Sequence, residues 1–155
     1  MATELRPGVF ARLFTELDAE TKKRAKTGLT QLALVVEKQA KINARVGSHK
    51  YGTPTPARPG TGPAVISGTL RRSITHTPVV WDAGGWTTRV GLGAGFHPPY
   101  GSNRTPSSKY GLYLETGLKN GSKYPFLLPA FRFAIGVPAE LIWREVFGAG
   151  WRTIL

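Results

Sequence analysis

Two apolar periodicities follow one another along the chain. Between residues 3 and 17, Val9, Phe10, Leu13, Phe14 and Leu17 fall at helical intervals, which predicts a short amphipathic helix with Pro7 in an early turn. Asp18 then fits the N-cap of a second, longer helix. There Ala25, Leu29, Leu32, Val36 and Ala40 keep one face apolar, Lys22, Lys23, Lys26, Lys38 and Lys41 fall elsewhere, and Gly47 is placed to stop it. The pattern leaves open whether the two helices are separate or continuous.

Beyond residue 73 the period shortens. Ile74 to Trp81 and Trp86 to Leu92 read as two strands, the second with Trp86, Thr88, Val90 and Leu92 on one face and Thr87, Arg89 and Gly91 on the other. "DAGG" between them supplies hairpin turn residues, and Pro78 assigns the first strand to an edge because it has no N–H for a ladder. In "YGLYLETG", Tyr110, Leu112 and Leu114 alternate, as in a third strand or a single helical turn. "YPFLLPAFRFAIG" opens a helix, with Pro129 in its first turn and Leu127, Ala130, Phe131 and Ala134 on one stripe. Gly136 and Pro138 interrupt it before a last segment carrying Leu141, Ile142, Val146 and Phe147.

Two long Pro/Gly-rich loops separate these elements, at about residues 47–68 and 93–109. The first holds four prolines and five glycines, which forbid a regular element. It reads either as a surface loop or as a segment ordered only against another molecule. The expected fold class is α+β: N-terminal helices, a small antiparallel sheet and a C-terminal helix, in one domain over residues 1–155.

Charge narrows the picture. There are 21 Lys+Arg against 9 Asp+Glu, a formal net charge of +12. The surplus is concentrated between Lys41 and Arg132, where the only acids are Asp82 and Glu115. Such a field attracts polyanions and repels copies of itself at low salt. The start of the chain carries no signal-peptide pattern, and the longest aliphatic stretch, Leu32 to Val36, is far below a membrane span. A soluble chain made in the cytoplasm, with no membrane partner, is the expectation.

No arrangement in the sequence points to catalysis. Cysteine is absent, His49, His76 and His97 lack metal-ligand spacing, and no serine sits in a GxSxG elbow. "GLGAG" and "GTGP" lack the residues and the following helix that a phosphate loop requires. The expectation is a non-enzyme without cofactor or metal. Glu115 is most simply an ion-pair partner for an arginine or lysine. Tyr51, Tyr100, Tyr110, Trp81 and Trp86 among the basic residues suit phosphate contacts and base stacking, but no nucleic-acid-binding motif accompanies them.

Three stretches in order resemble the small neck, or tail-completion (head–tail joining), protein family of long-tailed bacteriophages. They are "SGTLRRSI" with Leu70, Arg71, Ser73 and Ile74; "YGLYLETG" with Tyr110, Tyr113, Glu115 and Gly117; and "YPFLLPAF" with Pro125, Phe126, Leu127, Pro129 and Ala130. The resemblance covers about residues 20–135. It departs from the family at Ser67-Gly68-Thr69 and in a long insert near residues 96–109.

The resemblance implies a structural virion protein, a homo-oligomeric ring of about six copies around the DNA channel. Its partners would be the head connector, adaptor or head-closure proteins on one side and the tail terminator or tail tube on the other, with non-specific contact to genomic dsDNA. Arg71, Arg72, Glu115, Arg58, Lys119 and Lys123 are the candidates for subunit or DNA contact. The competing readings are a tail terminator ring and a stand-alone, sequence-nonspecific nucleic-acid-binding protein.

Overall fold

A computed structural model describes residues 7–47, 57–82, 85–98 and 105–148, with only the helical backbone given for residues 7–17. The fold is α+β: a long helix α1 (Pro7–Asn43), a short α2 (Thr69–Ser73), four three-residue strands, then α3 (Ser107–Thr116), α4 (Leu127–Ala134) and α5 (Val137–Phe147). The side chains of Val9, Phe10, Leu13, Phe14 and Leu17 lie outside the described set, as do His49, Tyr51 and Tyr100.

The first two predicted helices are one. α1 runs 37 residues, about 55 Å at 1.5 Å per residue. Asp18 is interior rather than a cap: its carboxylate pairs with Lys22 at 2.6 Å, and Glu20 pairs with Arg24 at 3.0 Å one turn on. Such i,i+4 pairs support a solvated helical run instead of ending it. Nor does Gly47 stop the helix. The helical hydrogen bonds end with Ala44 N–H to Ala40 O, and Gly47 forms an isolated parallel bridge with Ala64.

That bridge changes the account of the first loop. Residues 57–66 lie against their own chain, with Ala57 and Pro63 buried and Gly60 N–H donating to Lys123 O at 2.8 Å. A Cβ at Gly62 would stand 2.0 Å from the Asn43 carbonyl, so only glycine allows this approach to the end of α1. This half of the loop is an irregular surface segment, with residues 58–60, Val65 and Ile66 exposed, anchored to its own chain at Ala57 and Pro63; residues 48–56 lie outside the described set.

The core forms where α1 meets α2, β1 and α4. Val36, Ala40 and Ala44 pack with Leu70, Ile74, Phe126, Ala130 and Ala134, flanked by the half-buried Leu32, Val90, Leu92, Tyr110, Leu114 and Leu127. The alanines on facing sides of α1 and α4 let the two backbones approach closely. Phe126 is the largest fully buried side chain.

The two predicted strands each divide. β1 (Ile74–His76) pairs antiparallel with β4 (Val90–Leu92), and β2 (Val80–Asp82) with β3 (Gly85–Thr87). Between these pairs, residues 77–79 oppose residues 88–89, the unequal count of a bulge. Pro78 sits in that interruption, where it withholds no ladder bond. Thr77 N–H still donates to Arg89 O at 2.9 Å, while its hydroxyl accepts Arg89 N–H and its carbonyl accepts the Thr88 hydroxyl. At the far end Trp81 and Trp86 meet edge to face at 5.3 Å, with Lys22 and Lys26 of α1 over their rings. Asp82 pairs with Gly85, and Ala83 and Gly84 of the turn lie outside the described set.

"YGLYLETG" is neither strand nor single turn but most of the ten-residue α3. Tyr110, Gly111 and Leu114 face inward while Leu112 and Tyr113 are exposed. Gly111 admits the Leu92 side chain, whose Cδ1 would lie 2.1 Å from an added Cβ. In α4, Ala130 and Ala134 are buried as the stripe requires, but Phe131 is 52% exposed.

Candidate functional site

The joint between the first loop and the sheet is a single helical turn. Gly68 adopts a left-handed conformation (φ 73°), and its carbonyl accepts Arg72 N–H at 3.0 Å. Ser67 Oγ and Thr69 Oγ1 lie 2.9 Å apart beside it. Helical spacing then sends Leu70, Ser73 and Ile74 inward and Arg71 and Arg72 outward. Ser73 Oγ donates to Leu70 O at 2.8 Å, and Ser73 O accepts Gly93 N–H at 2.7 Å. The burial of a serine is thus satisfied, and the arginine pair is left to solvent.

Neither arginine has a carboxylate partner among the described residues. Arg72 reaches Thr69 Oγ1 at 3.5 Å and lies near Tyr110; burial pushes the Tyr110 hydroxyl above its ordinary range, with the Arg72 charge working against it. Both arginines line a shallow cavity of about 550 Å³ with Lys41, Val65, Gly68 and Phe96.

Lys41 comes from the last turn of α1, where its ammonium pairs with Glu37 at 2.5 Å. The other Glu37 oxygen meets His76 Nδ1 of β1 at 2.5 Å. Burial alone would raise the Glu37 carboxyl; hydrogen bonds from Lys41 and then His76, with their charges, outweigh it and hold the group below its ordinary range. A depressed carboxylate contributes stability above its unfolded value, lost as pH falls through the folded one. Thermal melts should therefore show a loss beginning below about pH 4.3 that Glu37→Gln reduces. An unchanged acid limb in that variant would contradict the assignment.

Glu115 finds its partners elsewhere in its own chain, and they are not side chains. One oxygen accepts Phe126 N–H at 2.9 Å and Leu127 N–H at 3.1 Å; the other accepts Leu128 N–H at 2.8 Å. These are the first three orphan donors of α4, and the fourth position is Pro129, which has no N–H. The carboxylate also faces the positive end of the α4 dipole. The expected ion pair with an arginine or lysine is therefore replaced by a helix cap. Tyr124 N–H, donating to Leu114 O at 2.7 Å, fixes the two segments side by side. Gly117 closes α3 at φ 134°, a conformation side chains rarely take, and Asn43 Nδ2 donates to the Phe126 carbonyl at 3.0 Å. The second and third sequence stretches are thus two halves of one physical device.

The remaining cations separate from the arginine pair. Arg58 lies in the turn whose Gly60 N–H donates to the Lys123 carbonyl, and Arg58, Lys119 and Lys123 are all exposed. Pro125 and Tyr113 border the capped helix and the outer side of α3. Lys41 and Phe96 were not singled out by the sequence. Glu37–Lys41 has the i,i+4 spacing of a helical pair, but its meeting with His76 and Arg71 depends on packing between distant segments.

Large apolar side chains also remain at the surface. Leu128, Phe131 and Ile135 form a strip along α4, Val137 (68% exposed) and Leu141 another along α5, and the adjacent Leu112 and Tyr113 are exposed on α3. Among the described residues no group of His, Asp and Glu is placed to hold a metal, and no helix is long and apolar enough to cross a membrane. Comparison of the chain with protein-family models, curated proteins and solved structures found no match.

Proposed function

We propose that this protein is a structural component of a bacteriophage neck, a non-enzymatic homo-oligomeric ring joining the DNA-filled head to the tail. One observation carries the reading: a chain with net charge +12 keeps large apolar side chains in water on α3, α4 and α5, aligned as strips on α4 and α5. Isolated exposed apolar residues are ordinary, but aligned strips mark interaction surfaces. A cyclic ring needs a heterologous contact between two unlike surfaces. α3 packs on α2 and β4 whereas α4 and α5 pack on α1, so the exposed side chains of α3 and those of α4–α5 belong to two unlike surfaces.

The ordered resemblance supports the same reading. Its inward-facing members build the joint and the capped helix, while Arg71 and Arg72 stay free for a partner. Sixfold closure, a position between head connector or adaptor and tail terminator or tube, and residence in the virion follow from the resemblance. Negative-stain images of the purified chain, alone and mixed with tails lacking it, test the reading. Annular particles with a central opening are expected. A uniform population of small globules in both samples would contradict it.

A further inference from the structure

We infer that the cavity formed by Lys41, Arg71, Arg72 and Phe96 binds the phosphodiester backbone of a nucleic acid. This deepens the ring reading by naming what one of its surfaces touches, and it rests on that reading only for where the nucleic acid would run.

Three cations from two distant segments converge there: Lys41 at the end of α1, and Arg71 and Arg72 on α2. Glu37 is the acid beside them, and its two oxygens are engaged by Lys41 and His76. Both arginines therefore keep their planar donor sets, which match anionic oxygens in pairs. The Gly68 backbone leaves room next to the Arg72 guanidinium, where a Cβ would lie 3.3 Å from its Nη1.

The lining is only partly polar. Val65 and the exposed Phe96 ring add apolar walls beside the three cations. Phosphate beside a sugar or base has that mixed character, and an aromatic ring is a stacking platform. A second copy of this chain is a poorer source of the anion. The chain has 9 acids against 21 cations, and among the described acids Asp18, Glu20, Glu37 and Glu140 pair with cations of their own helices while Glu115 caps α4.

The test is fluorescence anisotropy of the full chain on a short labelled duplex, on a single strand and on polyglutamate, over a range of salt. DNA binding with log K linear in log salt is expected. In the Arg71→Gln/Arg72→Gln double variant the slope should become shallower by about 2, and binding at about 50 mM salt should weaken at least tenfold. The control Lys23→Gln/Arg132→Gln removes the same charge on other elements and should retain most of the slope. Dependence on the pair with duplex only points to a backbone contact; dependence with single strands, reduced by Phe96→Ala, points to stacking. Equal losses in both double variants, no DNA binding at low salt, or dependence on the pair for polyglutamate alone would each overturn the inference. Mass measured on the same samples keeps the claims apart. A ring that ignores DNA sinks only the cavity assignment, and a monomer that binds DNA through the pair sinks only the ring.

Discussion

Glu115→Ala is expected to lower the folding free energy by about 2–4 kcal/mol, measured by urea unfolding. Three backbone donors lose their acceptor together, at 2.8, 2.9 and 3.1 Å in the parent chain. Pro129 cannot help, because it removes a donor without supplying an acceptor. The side chain is half-buried, so water can recover part of the loss, and the upper end of the range applies only if the α4 start stays sheltered. Glu115→Gln keeps one oxygen and the same shape but loses the charge at the helix start; about half the cost is expected. Equal stability of the Ala variant and the parent would show that the cap contributes nothing. The damage should spread, because α4 carries Ala130 and Ala134 into the core against α1.

Phe126→Ala should cost more, about 3–5 kcal/mol. Phe126 is 0% exposed, and its ring is surrounded by core residues of α1, α2, β1 and α4. Truncation removes transfer free energy and leaves a cavity that the neighbouring alanines are too small to fill. Since small domains hold only about 5–15 kcal/mol in total, the variant should be near its folding limit at 37 °C. Phe126→Leu keeps most of the volume and should lose far less. If the Ala variant unfolded at the same urea midpoint as the parent, the core would have been misplaced.

The sequence made the helical core legible because its signal is long. Leu32, Val36 and Ala40 repeat over several turns, and Pro129 with Ala130 and Ala134 marks a helix that the structure contains. Short signals misled. Alternation of Tyr110, Leu112 and Leu114 spans only five residues, over which strand and helix periods cannot be separated. The edge position expected from Pro78 is met, because both sheets have only two strands, but its place in a bulge depends on the count of residues in the opposing strand. Phe131 kept the helical spacing of the buried stripe yet faces solvent, because the width of that stripe is set by α1 and not by α4 itself.

The candidate site divides along the same line. That Arg71 and Arg72 lack a local acid was readable from the chain. That Glu115 would serve backbone donors was not, since a lone acid among cations looks like an ion pair until the helix start is placed beside it. Lys41 and Phe96 reach the joint only through contacts between α1, α2 and the segment before α3. The 57–66 half of the first loop is irregular and largely at the surface, as its prolines and glycines imply, but these residues do not forbid close packing, as Gly62 against Asn43 demonstrates.

The central claim is that the aligned apolar strips serve sister copies. Light scattering of the purified chain, at salt sufficient to screen its charge, measures this directly. The wild type should give several times the 16.8 kDa of one chain, about six copies on the proposed geometry. Phe131→Asp with Val137→Asp should collapse that mass to one chain while the circular dichroism spectrum stays that of a folded chain. A wild-type mass of 16.8 kDa at every salt and protein concentration would contradict the account.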